Sequence, residues 1–301
     1  MKPIIEVDQL VKQYPQLRAV DDLSFSVYKG DIYGFLGQNG AGKSTTIRMM
    51  LSLIRPTSGQ IRFFGESLSN NRSSILSRVG AVIEKPDLYK YLTAYQNLEL
   101  FLKMSRVQKR PGALMETLEL VGLQNRAHSK VKTFSQGMKQ RLGIATALVH
   151  DPEIIILDEP TNGLDPHGIA DMRNLIKRLS SELGKTVLIS SHLLSEIELI
   201  ANRMVIIDQG KKIVEGNVSE LLDPTKTVVY VATGNNLLAL EKLKHSPWQQ
   251  VHMADNGNLQ INIDKVSIPQ LIAYLTAAEI EIYSVNPRHS LEDYFLKLTK
   301  N

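Results

Sequence analysis

The apolar positions of this chain follow two rhythms. Short β-branched or apolar runs at Ile4 to Val7, Leu23 to Val27, Ile32 to Leu36 and Ile61 to Phe64 are broken by Gly, Asp and Lys, which predicts strands. Val79 to Ile83, Ile154 to Leu157 and Val187 to Ser191 read the same way. Between them the spacing turns helical. Leu98, Phe101 and Leu102 make an apolar stripe over Ala94 to Met104 with Thr93 as N-cap, and a second helix is predicted across Pro111 to Val121. Ser135 caps a third, carried by Leu142, Ala145, Ala147 and Leu148, and Pro166 suits the first turn of a helix running to about Leu183. Strands alternating with helices predict an α/β class, with a mostly helical insertion at about 86–150. Met204 to Asp208 and Lys211 to Glu215 read as a hairpin.

After a helical Ser219 to Leu222, Asp223-Pro224-Thr225 marks a boundary that divides the chain into 1–223 and 224–301. Beyond it the pattern predicts a strand (Thr227 to Ala232), a helix (Leu237 to Lys244), two strands around a turn at Asp255-Asn256-Gly257, a helix (Ile268 to Ala277) and a strand (Ile280 to Val285). That order, β-α-β-β-α-β, is the ferredoxin-like plan of a small α+β domain. Ser290 to Leu298 reads as a closing amphipathic helix, and no catalytic constellation falls in this second part.

Composition narrows the picture modestly. At 301 residues with 43% hydrophobic and 22% charged residues, the chain can bury a full core, and disorder is excluded. A net charge of +4 with dispersed basic residues permits an anionic partner without arguing for one. The absence of cysteine excludes disulfides and thiolate metal sites. Met1 to Asp8 lacks the apolar core of a signal peptide, and no run approaches the roughly 18 apolar residues of a membrane span. The expectation is a cytosolic protein whose membrane role, if any, comes through a partner.

The chemistry starts at Gly37-Gln38-Asn39-Gly40-Ala41-Gly42-Lys43-Ser44-Thr45, between a predicted strand and a predicted helix. Gly at the first and sixth places lets the backbone turn tightly and lay N–H groups around phosphate oxygens. Lys43 then reaches the β- and γ-phosphates, and the Ser44 hydroxyl takes a place on Mg²⁺. The helix N-terminus points its unpaired N–H groups at the same anion. Ile154-Ile155-Ile156-Leu157 reads as a buried strand that delivers Asp158 and Glu159 to the edge of the sheet where ligands bind in open α/β folds. His192 ends a further strand at the same edge. Tyr14, beside Pro15, either stacks on a base or packs ordinarily, and Tyr89, Tyr91 and Tyr95 form either a contact surface or half-buried packing.

Phosphate loop, capped Ser-x-Gly helix, Asp-Glu strand, Leu164-Asp165 turn and strand-terminal His192, in this order, resemble the ATP-binding subunits of ABC transporters over roughly 4–222. The resemblance implies a P-loop NTPase domain of the ABC type with an antiparallel β subdomain. It implies that Phe134 to Met138 is the signature motif, with Ser135, Gln136 and Gly137 facing ATP on an opposite subunit, Asp165 the D-loop acid, Asp158 a holder of Mg²⁺, Glu159 the polariser of the attacking water, His192 the switch histidine and Tyr14 the adenine-stacking aromatic. It further implies a second copy of the chain, a multi-span permease, a place on the cytoplasmic face of the membrane and no nucleic-acid partner. Gln136 and Met138 depart from the commonest signature, and Glu84 stands where most relatives carry the Q-loop glutamine, which would place a carboxylate near the metal and the attacking water. Together with Ile83-Glu84-Lys85-Pro86, these departures resemble the bacitracin and lantibiotic resistance subgroup of exporters. A soluble ABC ATPase acting on ribosomes or DNA is the alternative, although the chain has neither paired cassettes nor heptad arms. A small-molecule kinase would leave the signature helix and His192 unexplained.

Overall fold

The computed structural model describes residues 2–108, 110–222, 227–254 and 257–289, with side chains up to 287. The chain forms two compact units, 1–217 and 218–301. The division falls at Asn217/Val218, a little before the predicted Asp223-Pro224-Thr225, which lie outside the described residues.

The first unit opens with β1 (Ile5–Gln13), β2 (Arg18–Val27) and β3 (Ile32–Gly37), followed by α1 (Lys43–Met50). Next come β4 (Ser58–Phe63), the short β5 (Glu66–Ser67), α2 (Arg72–Leu76) and β6 (Val79–Val82). The helical insertion holds α3 (Ala94–Ser105), α4 (Ala113–Leu120) and α5 (Gln136–Leu148). It leads into β7 (Ile154–Asp158), α6 (Pro166–Ser181), β8 (Thr186–Ser191), α7 (Leu194–Glu198), β9 (Arg203–Asp208) and β10 (Lys211–Asn217). The helices α2 and α7 were not legible in the spacing, because each is only five residues long.

Two sheets carry this unit. An antiparallel sheet runs β2-β1-β4-β5, and a six-stranded sheet runs β10-β9-β3-β8-β7-β6 with β9, β3, β8, β7 and β6 parallel. Parallel strands are covered on both faces, so they read as continuous apolar runs, and every residue of β3, β7 and β8 is buried. One core joins the sheets. Phe25 of β2 lies 5.3 Å from Phe35 of β3 by ring centroids, and Ile47 and Met50 of α1 pack into the same cluster.

Register then places the chemistry. Asp158 pairs with Ser190 across β7 and β8, and Leu36 pairs with Ser191 across β3 and β8, so the carboxyl ends of three strands meet where the phosphate loop leaves β3. The first helix of the insertion is started by a capping box: Thr93 accepts from the Gln96 N–H at 3.1 Å, and the Gln96 side chain accepts from the Thr93 N–H at 2.9 Å. Its α5 sits hard on the loop after β6. A Cβ at Gly143 would stand 2.4 Å from the Pro86 side chain, so only glycine permits this approach.

The second unit holds α8 (Val218–Leu221), β11 (Thr227–Thr233), α9 (Asn236–Lys244), β12 (Val251–Met253), β13 (Leu259–Ile263), α10 (Ile268–Ala277) and β14 (Ile282–His289). Its sheet is antiparallel in the order β12-β13-β11-β14, with the two inner strands β13 and β11 paired, as the split βαβ plan requires. A separate apolar core, including Val229, Leu243, Ile261 and Leu275, fills the space under α9 and α10. The predicted helix at Ser290 to Leu298 lies outside the described residues, as do Asp255 and Asn256 of the predicted turn.

Candidate nucleotide-binding site

The phosphate loop is shaped by its glycines. Gly42 precedes α1 with φ 103°, and a Cβ there would lie 2.5 Å from the Ala19 carbonyl oxygen, which excludes other residues on both counts. No side chain caps α1, so its first N–H groups stay available to an anion. Lys43 is 5% exposed. Its Nζ donates to the carbonyls of Gly37 at 2.6 Å and Gln38 at 3.1 Å and stands 3.2 Å from Glu159 Oε1. Ser44 and Thr45 are half-buried, while Asn39 and Gly40 form the exposed crest of the loop.

The acids arrive on the rigid end of β7. Asp158 is 1% exposed; its Oδ1 accepts from the Ser190 hydroxyl at 2.6 Å, and its Oδ2 has no hydrogen-bond partner. Glu159 has φ 50°, a left-handed conformation that costs an L-residue about 1–2 kcal/mol and that turns its side chain out of the sheet. Its Oε2 lies 2.8 Å from His192 Nδ1. One carboxylate thus spans the loop lysine and the strand-terminal histidine. Glu196 of α7 accepts from Thr161 at 2.6 Å and from Ser191 at 3.0 Å, tying the turn after β7 to the end of β8. Neither Ser190 nor Glu196 could be read from the sequence, since each acts only through strand register or tertiary contact.

A cavity of about 710 Å³ opens here, lined among others by Ser44, Glu84, Gln136, Gln140, Asp158 and Glu159. Gln140 is 3% exposed and its Oε1 has no hydrogen-bond partner. Glu84 stands at the rim with φ 55°, and its carboxylate is ion-paired with Arg48 of α1. Ser135, Gly137 and Asp165 lie around a second cavity of about 370 Å³, and Gln136 is common to both. Ser135 caps α5 by accepting from the Met138 N–H at 3.3 Å, and Asp165 caps α6 by accepting from the Gly168 N–H at 2.7 Å. Within one chain Ser135, Gly137 and Asp165 therefore open on a different space from Ser44, with Gln136 between the two. Tyr14 is 39% exposed in the turn between β1 and β2, with Lys12 Nζ 5.0 Å from its ring centroid.

Tyr89 and Tyr91 are 53% and 82% exposed, while Tyr95 is half-buried and lies 6.1 Å from the His128 ring. Beneath them the fully buried Asn97 accepts from the Tyr89 N–H at 2.9 Å and donates to the carbonyls of Tyr89 and Thr93. The loop backbone is pinned and two of its rings face outward, so the packing reading holds for Tyr95 alone.

A P-loop, an acidic strand end and a histidine at one sheet edge, with a helical arm carrying a capped Ser-x-Gly, define a nucleotide-hydrolysing ATPase of the α/β type. The family model for ABC transporters matches residues 20–162. The bacitracin transport ATP-binding protein BcrA of Bacillus licheniformis is 43% identical over 99% of this chain and 98% of its own. An uncharacterized ABC transporter ATP-binding protein, YhcH of Bacillus subtilis (strain 168), is 41% identical over 99% and 97%. Among solved structures, the dimeric ATP-binding cassette MJ0796 bound to ADP and Pi is similar with a TM-score of 0.64 and 25% identity, covering 71% of this chain and 98% of that one. The chain belongs to the ATP-binding subunits of ABC transporters, and its activity is ATP hydrolysis coupled to transport.

Proposed function

We propose that this chain is the Mg–ATP-driven motor of an exporter for a peptide antibiotic, working as a homodimer on the cytoplasmic face of a separate membrane permease. The observation that carries the reading is the end-to-end likeness to the bacitracin transport subunit, which extends through the second unit as well as the ATPase. No described helix is long and apolar enough to cross a membrane, in keeping with a permease that is a separate chain.

The residues present fit a bound Mg²⁺. A hard cation seeks oxygen ligands and usually takes one or two protein groups with the phosphates, and Asp158 Oδ2 is a buried carboxylate oxygen without a partner, on a residue that lines the same cavity as Ser44. Ser44 and Asp158 would hold the ion, with Glu84 at the cavity rim as a third oxygen donor; bound there, the ion would offset charge on the phosphates. Lys43 and the α1 N-terminus would orient the β- and γ-phosphates. Glu159 would accept the proton of the attacking water, and His192 would hold that carboxylate in place and face the γ-phosphate. Tyr14 would cover the adenine. Because Ser135, Gly137 and Asp165 open on a different space from the phosphate loop, they would complete the site of a second copy.

The exposed Tyr89 and Tyr91 suit the permease contact. Y89A together with Y91A is expected to leave the isolated subunit's ATPase near the parent rate and to abolish transport in membranes containing the permease; an unchanged transport rate would overturn this assignment. The second unit, with its own core, would serve dimer or partner contacts. A chain ending at Asn217 is expected to bind ATP within about threefold of the parent, and loss of affinity in a folded truncation would bring the second unit into the site.

A further inference from the structure

Three carboxylates line the cavity beside the phosphate loop: Glu84, Asp158 and Glu159. Each is handled differently. Glu159 lies between Lys43 and His192, and Asp158 keeps one oxygen on Ser190 and leaves the other bare. Glu84 is paired with Arg48. Arg48 follows Ser44 by four positions on α1, so the two side chains share one helix face, their Cα atoms about 6 Å apart along the axis. Arg48 therefore holds the Glu84 carboxylate from the helix face that also carries the hydroxyl assigned to the metal, and Glu84 and Ser44 line the same cavity. The backbone behind it is fixed, because Pro86 is wedged against Gly143 of α5 and Glu84 itself is held at φ 55°. What can change is the side chain.

We propose that Arg48 is a positioning residue that competes with the metal for Glu84, holding its carboxylate in an ion pair on α1 until a divalent cation on Ser44 and Asp158 draws it in. The inference rests on the assignment of Glu84 to the metal site above. It is physically balanced because the pair is solvent-exposed, with side-chain exposures of 41% and 62%. Exposed ion pairs are weak enough to be exchanged for a divalent cation, yet they prevent a third carboxylate from adding uncompensated repulsion toward the γ-phosphate when the metal is absent. An amide at position 84 would need no such counter-ion, since it carries no charge.

The test is a double-mutant cycle read by metal binding. The full chain, saturated with a non-hydrolysable ATP analogue, is titrated with Mn²⁺ while free Mn²⁺ is followed by paramagnetic resonance. Arg48→Met is expected to lower the half-saturating Mn²⁺ concentration about threefold, the range an exposed ion pair allows, and Arg48→Lys to stay near the parent. Glu84→Gln should raise it, and adding Arg48→Met to Glu84→Gln should change nothing further. A shift from Arg48→Met that persists in the Glu84→Gln background would mean that Arg48 acts only through its general field, and the proposal would fall. If Glu84→Gln shifts the curve while Arg48→Met alone is silent, the competition is absent and the metal role of Glu84 survives. If Glu84→Gln is itself silent, the metal assignment fails and takes the inference with it. Analogue affinity without metal and melting temperature show that each variant is folded.

Discussion

Glu159→Gln is expected to lower the turnover number for ATP hydrolysis about a hundredfold to a thousandfold while leaving ATP affinity nearly intact. The amide keeps the shape and keeps one oxygen to face His192 Nδ1, now 2.8 Å from the carboxylate, so the local geometry survives. What it loses is the capacity to accept the proton of an attacking water. It also loses the charge that stands 3.2 Å from Lys43, which frees that ammonium for phosphate and favours binding. Slow hydrolysis with full binding makes an ATP-bound dimer accumulate. Single-turnover hydrolysis, equilibrium nucleotide binding and sedimentation measure the three consequences together; turnover at the parent rate would remove Glu159 from the chemistry.

Lys43→Ala is expected to fail one step earlier, at binding. The ammonium is the one cation buried within the phosphate loop, satisfied by two carbonyls of its own loop and by Glu159. Alanine leaves those acceptors without their donor and leaves the phosphates facing a carboxylate with no intervening positive charge. Hydrogen bonds to charged groups are worth about 1.5–3 kcal/mol, so ATP affinity should fall roughly tenfold to a hundredfold. The two variants thus separate: Glu159→Gln moves the rate with little change in dissociation constant, and Lys43→Ala moves the dissociation constant. Equal dissociation constants for Lys43→Ala and the parent would contradict the assignment of the loop.

Much of this molecule was legible in its sequence because local rules and global fold agree. Continuous apolar runs marked β3, β7 and β8 because parallel strands are buried on both faces, and glycine spacing marked the phosphate loop because a Cβ at Gly42 has nowhere to go. The order β-α-β-β-α-β announced the second unit. The short helices α2 and α7 escaped, since five residues carry too few turns to show a period.

By itself, then, the sequence determined the longer elements, the phosphate loop, the acidic strand end and the family, all of which are encoded in spacing along the chain. Only the tertiary structure decided how the charges are shared. Strand register brought Ser190 onto Asp158, the left-handed turn at Glu159 set that carboxylate between Lys43 and His192, and the approach of α1 to the loop after β6 put Arg48 on Glu84. The physical reason is that Coulomb and hydrogen-bond partners are chosen by distance in space, and residues 36 positions apart on different elements have no periodicity through which the sequence could declare them neighbours.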